Sequence, residues 1–97
     1  GNQDTSFKVV PLSKGMIGKG VKIVTFLYDI SNTAANKSMS FSTNNQYPSA
    51  FGVTTQVNNI YVSGQGTIPL NSDGTFYIKT WSDANFTISL VPVAIQT

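Results

Sequence analysis

Four carboxylates are the only acids in the chain, Asp4, Asp29, Asp73 and Asp83, and there is no Glu, His or Cys. That inventory removes most catalytic chemistry at once. A Ser-His-Asp arrangement has no His, a thiol nucleophile has no Cys, and thiolate or imidazole metal ligands are missing. A glycosidase needs two carboxyl groups flanking one bond. Asp73 sits in a Ser-Asp-Gly turn and Asp4 in the polar start, which leaves Asp29 and Asp83 with nothing in the sequence to bring them together. Asn71-Ser72-Asp73-Gly74 lacks the spaced carboxylates of a calcium loop. The chain reads as a non-enzyme without cofactor or metal.

Binding chemistry is better represented. Trp81 follows an apolar run and stands beside Ser82, Asp83 and Asn85. An aromatic face next to a carboxylate and an amide suits a neutral sugar, whose apolar ring face stacks while its hydroxyls are hydrogen-bonded. Trp81 and Asp83 are therefore the first candidate ligand-binding residues. Asn85 and Tyr77 come behind them, Tyr77 because it alternates with Phe76 and Ile78 and points away from the side they share. A core-capping Trp81 is the competing reading of the same residue. The sequons Asn36-Lys37-Ser38 and Asn85-Phe86-Thr87 are matched by the sequence and matter only in a eukaryotic secretory setting.

Composition points the same way. Charged residues are 10% of the 97 residues, against roughly 25% in an ordinary soluble domain, and Ser, Thr, Asn and Gln make up about a third of the chain. Such a surface suits extracellular or virion proteins and neutral polyol ligands. The net charge of +2 rests on six Lys and no Arg, so the dense Arg-bearing stripe of a nucleic-acid interface is missing. No apolar run approaches the 18 or so residues of a helical membrane span.

The elements that must position these residues are strands. Phe7 to Leu12 reads as a first strand, with Pro11 marking an edge. Lys14 to Gly20 is a glycine-punctuated turn, without the Lys-Ser/Thr ending and following helix of a P-loop. Gly20 to Ile30 is the longest strand, and its apolar alternation changes phase near Ile23–Val24, where a bulge is expected. Ser31 to Lys37 is a polar loop, and Ser38 to Thr43 alternates with Met39 and Phe41 inward. After a loop to Pro48, Phe51 to Val57 is a strand. Asn58-Asn59 turns into a short strand Ile60 to Ser63. Gly66 to Leu70 and Thr75 to Thr80 flank Asp73-Gly74 and are expected to pair as a β-hairpin. Phe86 to Leu90 alternates, and Val91, Val93 and Ile95 continue out of phase around Pro92, a bulge or edge signature. Eight or nine short strands with turns every 8–12 residues predict an all-β fold, a single small antiparallel barrel or sandwich, Greek-key-like. Residues 1–6 read as a linker end and 7–97 as one domain.

In this order of elements the chain resembles the carboxy-terminal head domain of phage tail receptor-binding proteins, those of siphophages infecting lactococci and related Gram-positive hosts above all. The residues that carry it are Gly20 to Ile30, Tyr47-Pro48 to Phe51, and the Gly66-Thr67-Ile68-Pro69-Leu70-Asn71-Ser72-Asp73-Gly74 to Ile78 stretch. It covers about three-quarters of the chain and rests on turn and strand pattern. The resemblance implies a homotrimer of compact β-barrels at a virion tail tip, acting outside the host and binding a cell-wall saccharide or glycerol phosphate. Trp81 and Asp83 stand where such heads carry a Trp after the hairpin, and no His or Arg accompanies them. Two other readings stay open: a structural β-module of a virion or bacterial surface protein, and a carbohydrate-binding module attached to an enzyme.

Overall fold

The computed structural model describes residues 8–11, 19–45, 48–80 and 85–97. Among them every regular element is a strand: β1 (Lys8–Pro11), β2 (Ile23–Asn32), β3 (Lys37–Ser42), β4 (Phe51–Thr55), β5 (Val62–Pro69), β6 (Thr75–Thr80) and β7 (Phe86–Gln96). All pairings are antiparallel, in a four-stranded sheet ordered β1-β6-β3-β4 and a three-stranded sheet ordered β5-β2-β7. The two sheets pack face to face as an open sandwich. The all-β reading holds, with seven strands among the described residues and no closed barrel.

Period-two alternation places the core. Val24, Phe26 and Ile30 of β2 point inward and meet Met39 and Phe41 of β3, Val53 of β4, Ile68 of β5 and Phe76 of β6, all buried. Phe41 is the hub: its ring stacks on Phe51 at 4.4 Å between centroids and lies 6.4 Å from Phe76. Tyr28 also stacks on Phe51 at 6.0 Å, and Phe26 meets Phe76 at 5.7 Å.

The Asp73-Gly74 turn is local as expected, with the Gly74 N–H donating to Asn71 O (2.8 Å) and the Asn71 N–H to Thr75 O (3.0 Å). Gly74 takes a φ of 78°, the left-handed region that favours glycine. Its flanking strands do not form a hairpin. β5 pairs with β2, while β6 pairs with β1 and β3, so the turn is an arch that carries the chain from one sheet to the other. Ile68 and Phe76 still meet, across the sandwich rather than along a ladder. An Asp-Gly turn fixes only the reversal. Which strands pair depends on where the apolar faces are covered.

Three further corrections have physical causes. The expected break between the strands Ile60 to Ser63 and Gly66 to Leu70 does not occur, and β5 is one strand of eight residues. β2 carries no bulge at Ile23–Val24; the register shifts opposite Thr25 and Phe26, where Val93 of β7 is the extra residue, in line with the bulge expected around Pro92. Two of the three β3 serines do not face water: Ser40 and Ser42 are buried, as Met39 and Phe41 are. A stretch buried on both faces, as 39–42 is, reads as alternating when its second face is lined by small hydroxyl residues.

Ser42 has a measurable consequence. Its Oγ is buried and finds no hydrogen-bond partner among the described residues. An unsatisfied buried hydroxyl carries a desolvation cost of about 1–3 kcal/mol. Ser42→Ala removes that group at little change in volume and should raise stability by about 1 kcal/mol, a gain of about 4–8 °C for a domain of this size, read by thermal melting.

Candidate binding face on the three-stranded sheet

On the outer face of the β5-β2-β7 sheet the side chains from Thr25 to Asp29 and their partners are exposed or half-buried, and register decides what they present. Asp29 of β2 lies between Ser63 of β5 and Ser89 of β7, and Leu27 lies between Gln65 and Val91. Thr25 lies between Thr67 and Ala94, the two threonine hydroxyls sharing a hydrogen bond of 2.9 Å. Residues paired in an antiparallel sheet share a face, so these form three parallel rows. The first is polar, the second an amide beside two aliphatic side chains, the third mainly hydroxyl.

A shallow cleft of about 520 Å³ lies over the first two rows, lined by Asp29, Ser63, Ser89, Gln65, Leu27 and Val91 with Tyr28 and Gly64 at its base. Asp29 is exposed, as its phase against the apolar side of β2 predicts. The Ser63 hydroxyl donates to Asp29 Oδ1, which fixes the carboxylate along the row. Leu27 and Val91 are 47% and 52% exposed. A polyol with one apolar ring face finds there an aliphatic platform, a carboxylate acceptor, two hydroxyls and an amide. No cation lines the cleft, and the Asp29 carboxylate disfavours an anion such as glycerol phosphate.

The residues expected from sequence fall elsewhere. Trp81 and Asp83 lie outside the described residues. Asn85 is exposed and directly precedes β7 at the end of the sandwich that also carries loops 33–36 and 56–61. Tyr77 is half-buried on the outward side of β6, paired with Val9 and Ser42 in the four-stranded sheet. Tyr77 therefore lies in the four-stranded sheet and Asn85 just before a strand of the other, and neither lines the cleft.

Asp29, Ser63, Ser89 and Gln65 are not legible as a group, because they come from three strands separated by long stretches of sequence. The available signal was a carboxylate placed out of phase in an otherwise apolar strand. Among the described residues no three His, Cys, Asp or Glu side chains cluster as a metal site. A second exposed patch, Val57, Ile60 and Tyr61, caps the β4–β5 loop, where Asn59 turns the chain with a φ of 60°. No protein-family model, no curated protein and no solved structure matches this chain.

Proposed function

We propose that the domain is a non-catalytic binding module for neutral saccharides on a cell surface, serving as the receptor-binding head of a phage tail. One observation carries the saccharide reading: the Ser63-Asp29-Ser89 row beside the Gln65-Leu27-Val91 row on an otherwise uncharged sheet face. The rows sit on three paired strands, so their geometry is held by backbone ladders rather than by a loop. Asp29 orients hydroxyls as an acceptor, Ser63 and Ser89 extend the row, and Leu27 with Val91 underlie the ring. The phage assignment is supported by the order of sequence elements and by the hydroxyl- and amide-rich, weakly charged composition. Single sites of this kind are weak, and display in several copies raises avidity by about 10²–10⁴.

A glycan array spotted with host cell-wall polysaccharides tests the reading. The wild-type domain should bind neutral glycans, and Asp29→Ala should weaken that binding about tenfold through loss of a charged acceptor. Its melting temperature should stay close to that of the parent, because the carboxylate is exposed. Trp81→Ala run in parallel locates the site. Loss of binding there, with Asp29→Ala unaffected, moves the site to residues 81–85. No binding to any glycan by the folded domain overturns the function in favour of a structural module.

A further inference from the structure

We infer that the group read in the cleft is an acetamido substituent, so that the sugar bound there is a neutral N-acetylhexosamine rather than a plain hexose. Such recognition rests on the saccharide reading above. Asp29, Leu27 and Gln65 carry it. Asp29 and Leu27 are neighbours along one face of β2, and Gln65 of β5 is the register partner of Leu27. Each of these side chains is exposed and lines the cleft.

The Ser63 hydroxyl donates its single proton to Asp29 Oδ1. Asp29 and Ser63 together therefore turn only acceptors toward a ligand. The Gln65 side chain has no hydrogen-bond partner among the described residues, and its carboxamide nitrogen offers two donors. A ligand that satisfies both must bring a donor to Asp29 and an acceptor to Gln65. Gln65 stands on the diagonal from Asp29 in the β2–β5 ladder, a separation of about 7–8 Å. A secondary amide carries its N–H and C=O on opposite edges. Its own width of about 2.2 Å and two hydrogen bonds of about 2.9 Å span roughly 8 Å.

Leu27 decides between an amide and the other groups that reach across this diagonal. It fills the corner between Asp29 and Gln65 and is 47% exposed. Two vicinal hydroxyls of a plain hexose span as far, but they hold polar oxygens above an aliphatic side chain that returns no hydrogen bond. An acetamido group sets its methyl there instead. The N–H then donates to Asp29, the carbonyl accepts from Gln65 and the methyl lies on Leu27. The ring extends beside it over Val91 toward Ser89, and the second Asp29 oxygen is left for an adjacent ring hydroxyl. An acidic amino sugar is disfavoured by Asp29 in a cleft that no cation lines.

Chitotetraose and cellotetraose share one β-1,4-linked backbone and differ at C2, acetamido against hydroxyl. N-acetylgalactosamine and galactose repeat the comparison in the C4 epimer. In at least one pair the acetamido member should bind about tenfold tighter by calorimetry, the effect of one amide hydrogen bond and one covered methyl. Saturation-transfer NMR should show the strongest transfer at the acetyl methyl protons. Gln65→Met keeps the side-chain length and removes the amide, and Leu27→Asn removes the aliphatic contact. Each should lower the ratio to about two or three, with the melting temperature nearly unchanged because both side chains are exposed. A ratio near one in both pairs, for a domain that binds other glycans, overturns the acetamido assignment and leaves the saccharide function standing. A ratio that survives both substitutions does the same, since the acetamido group is then read elsewhere. A folded domain that binds no glycan at all overturns both readings.

Discussion

Phe41→Ala should cost the domain about 3–5 kcal/mol, the range for deleting a fully buried aromatic ring. Phe41 has no exposed surface, and it sits in the second sheet with β4 on one side and β6 on the other. Removing the ring takes the stacked partner from Phe51 and the tilted one from Phe76, and each aromatic pair is worth about 0.5–1.5 kcal/mol beyond buried area. The cavity cannot readily collapse. Its walls are Met39, Val53, Ile68 and Phe76, whose backbones are held in ladders of both sheets. A domain of this size has about 5–15 kcal/mol of stability in all. Urea denaturation should therefore show the midpoint lowered by about a fifth or more, and thermal melting a fall of at least about 12 °C. Phe41→Leu, which keeps most of the volume, should recover more than half of the loss. A loss below 1 kcal/mol for the alanine variant would mean that Phe41 is not the centre of packing.

The sandwich itself was readable because each core strand carries period-two alternation, and Val24, Phe26, Met39, Phe41, Ile68 and Phe76 all point where that period sends them. Pro11 and Pro92 marked outer strands correctly, since a residue without an N–H is tolerated at a sheet edge. What failed was pairing. The Asp73-Gly74 signal is local, and the same turn chemistry serves a hairpin or an arch between sheets. The candidate site was hidden for the same reason. Asp29 meets Ser63 and Ser89 through two registers that no short window contains, while Trp81, Asp83 and Asn85 attracted notice because they are adjacent in sequence. Glycines were misread as well: Gly64 and Gly66 look like strand ends, yet both lie inside β5.

Gly66→Ala should destabilise the domain by about 1–3 kcal/mol, in spite of adding a single methyl group to a residue type poorly suited to strands. On an open strand the same exchange stabilises by reducing the freedom of the unfolded chain, by about 0.4–1 kcal/mol. The sign reverses here because Gly66 faces inward, paired with Phe26, and is buried. A Cβ on Gly66 would lie 2.5–2.7 Å from three carbons of the Phe51 ring, well inside carbon–carbon contact of about 3.5–4.0 Å. A shift of Phe51 disturbs its stacking on both Phe41 and Tyr28. Moving it disturbs the aromatic ladder on which Phe41 depends, so the cost should spread beyond the mutated strand. A compensating variant makes the argument testable at the level of contact. Gly66→Ala combined with Phe51→Leu should be more stable than the sum of the two single losses predicts, with a coupling of about 0.5–3 kcal/mol for residues that share one space. Strict additivity in that cycle would place the strain elsewhere and leave Gly66 as an ordinary strand glycine.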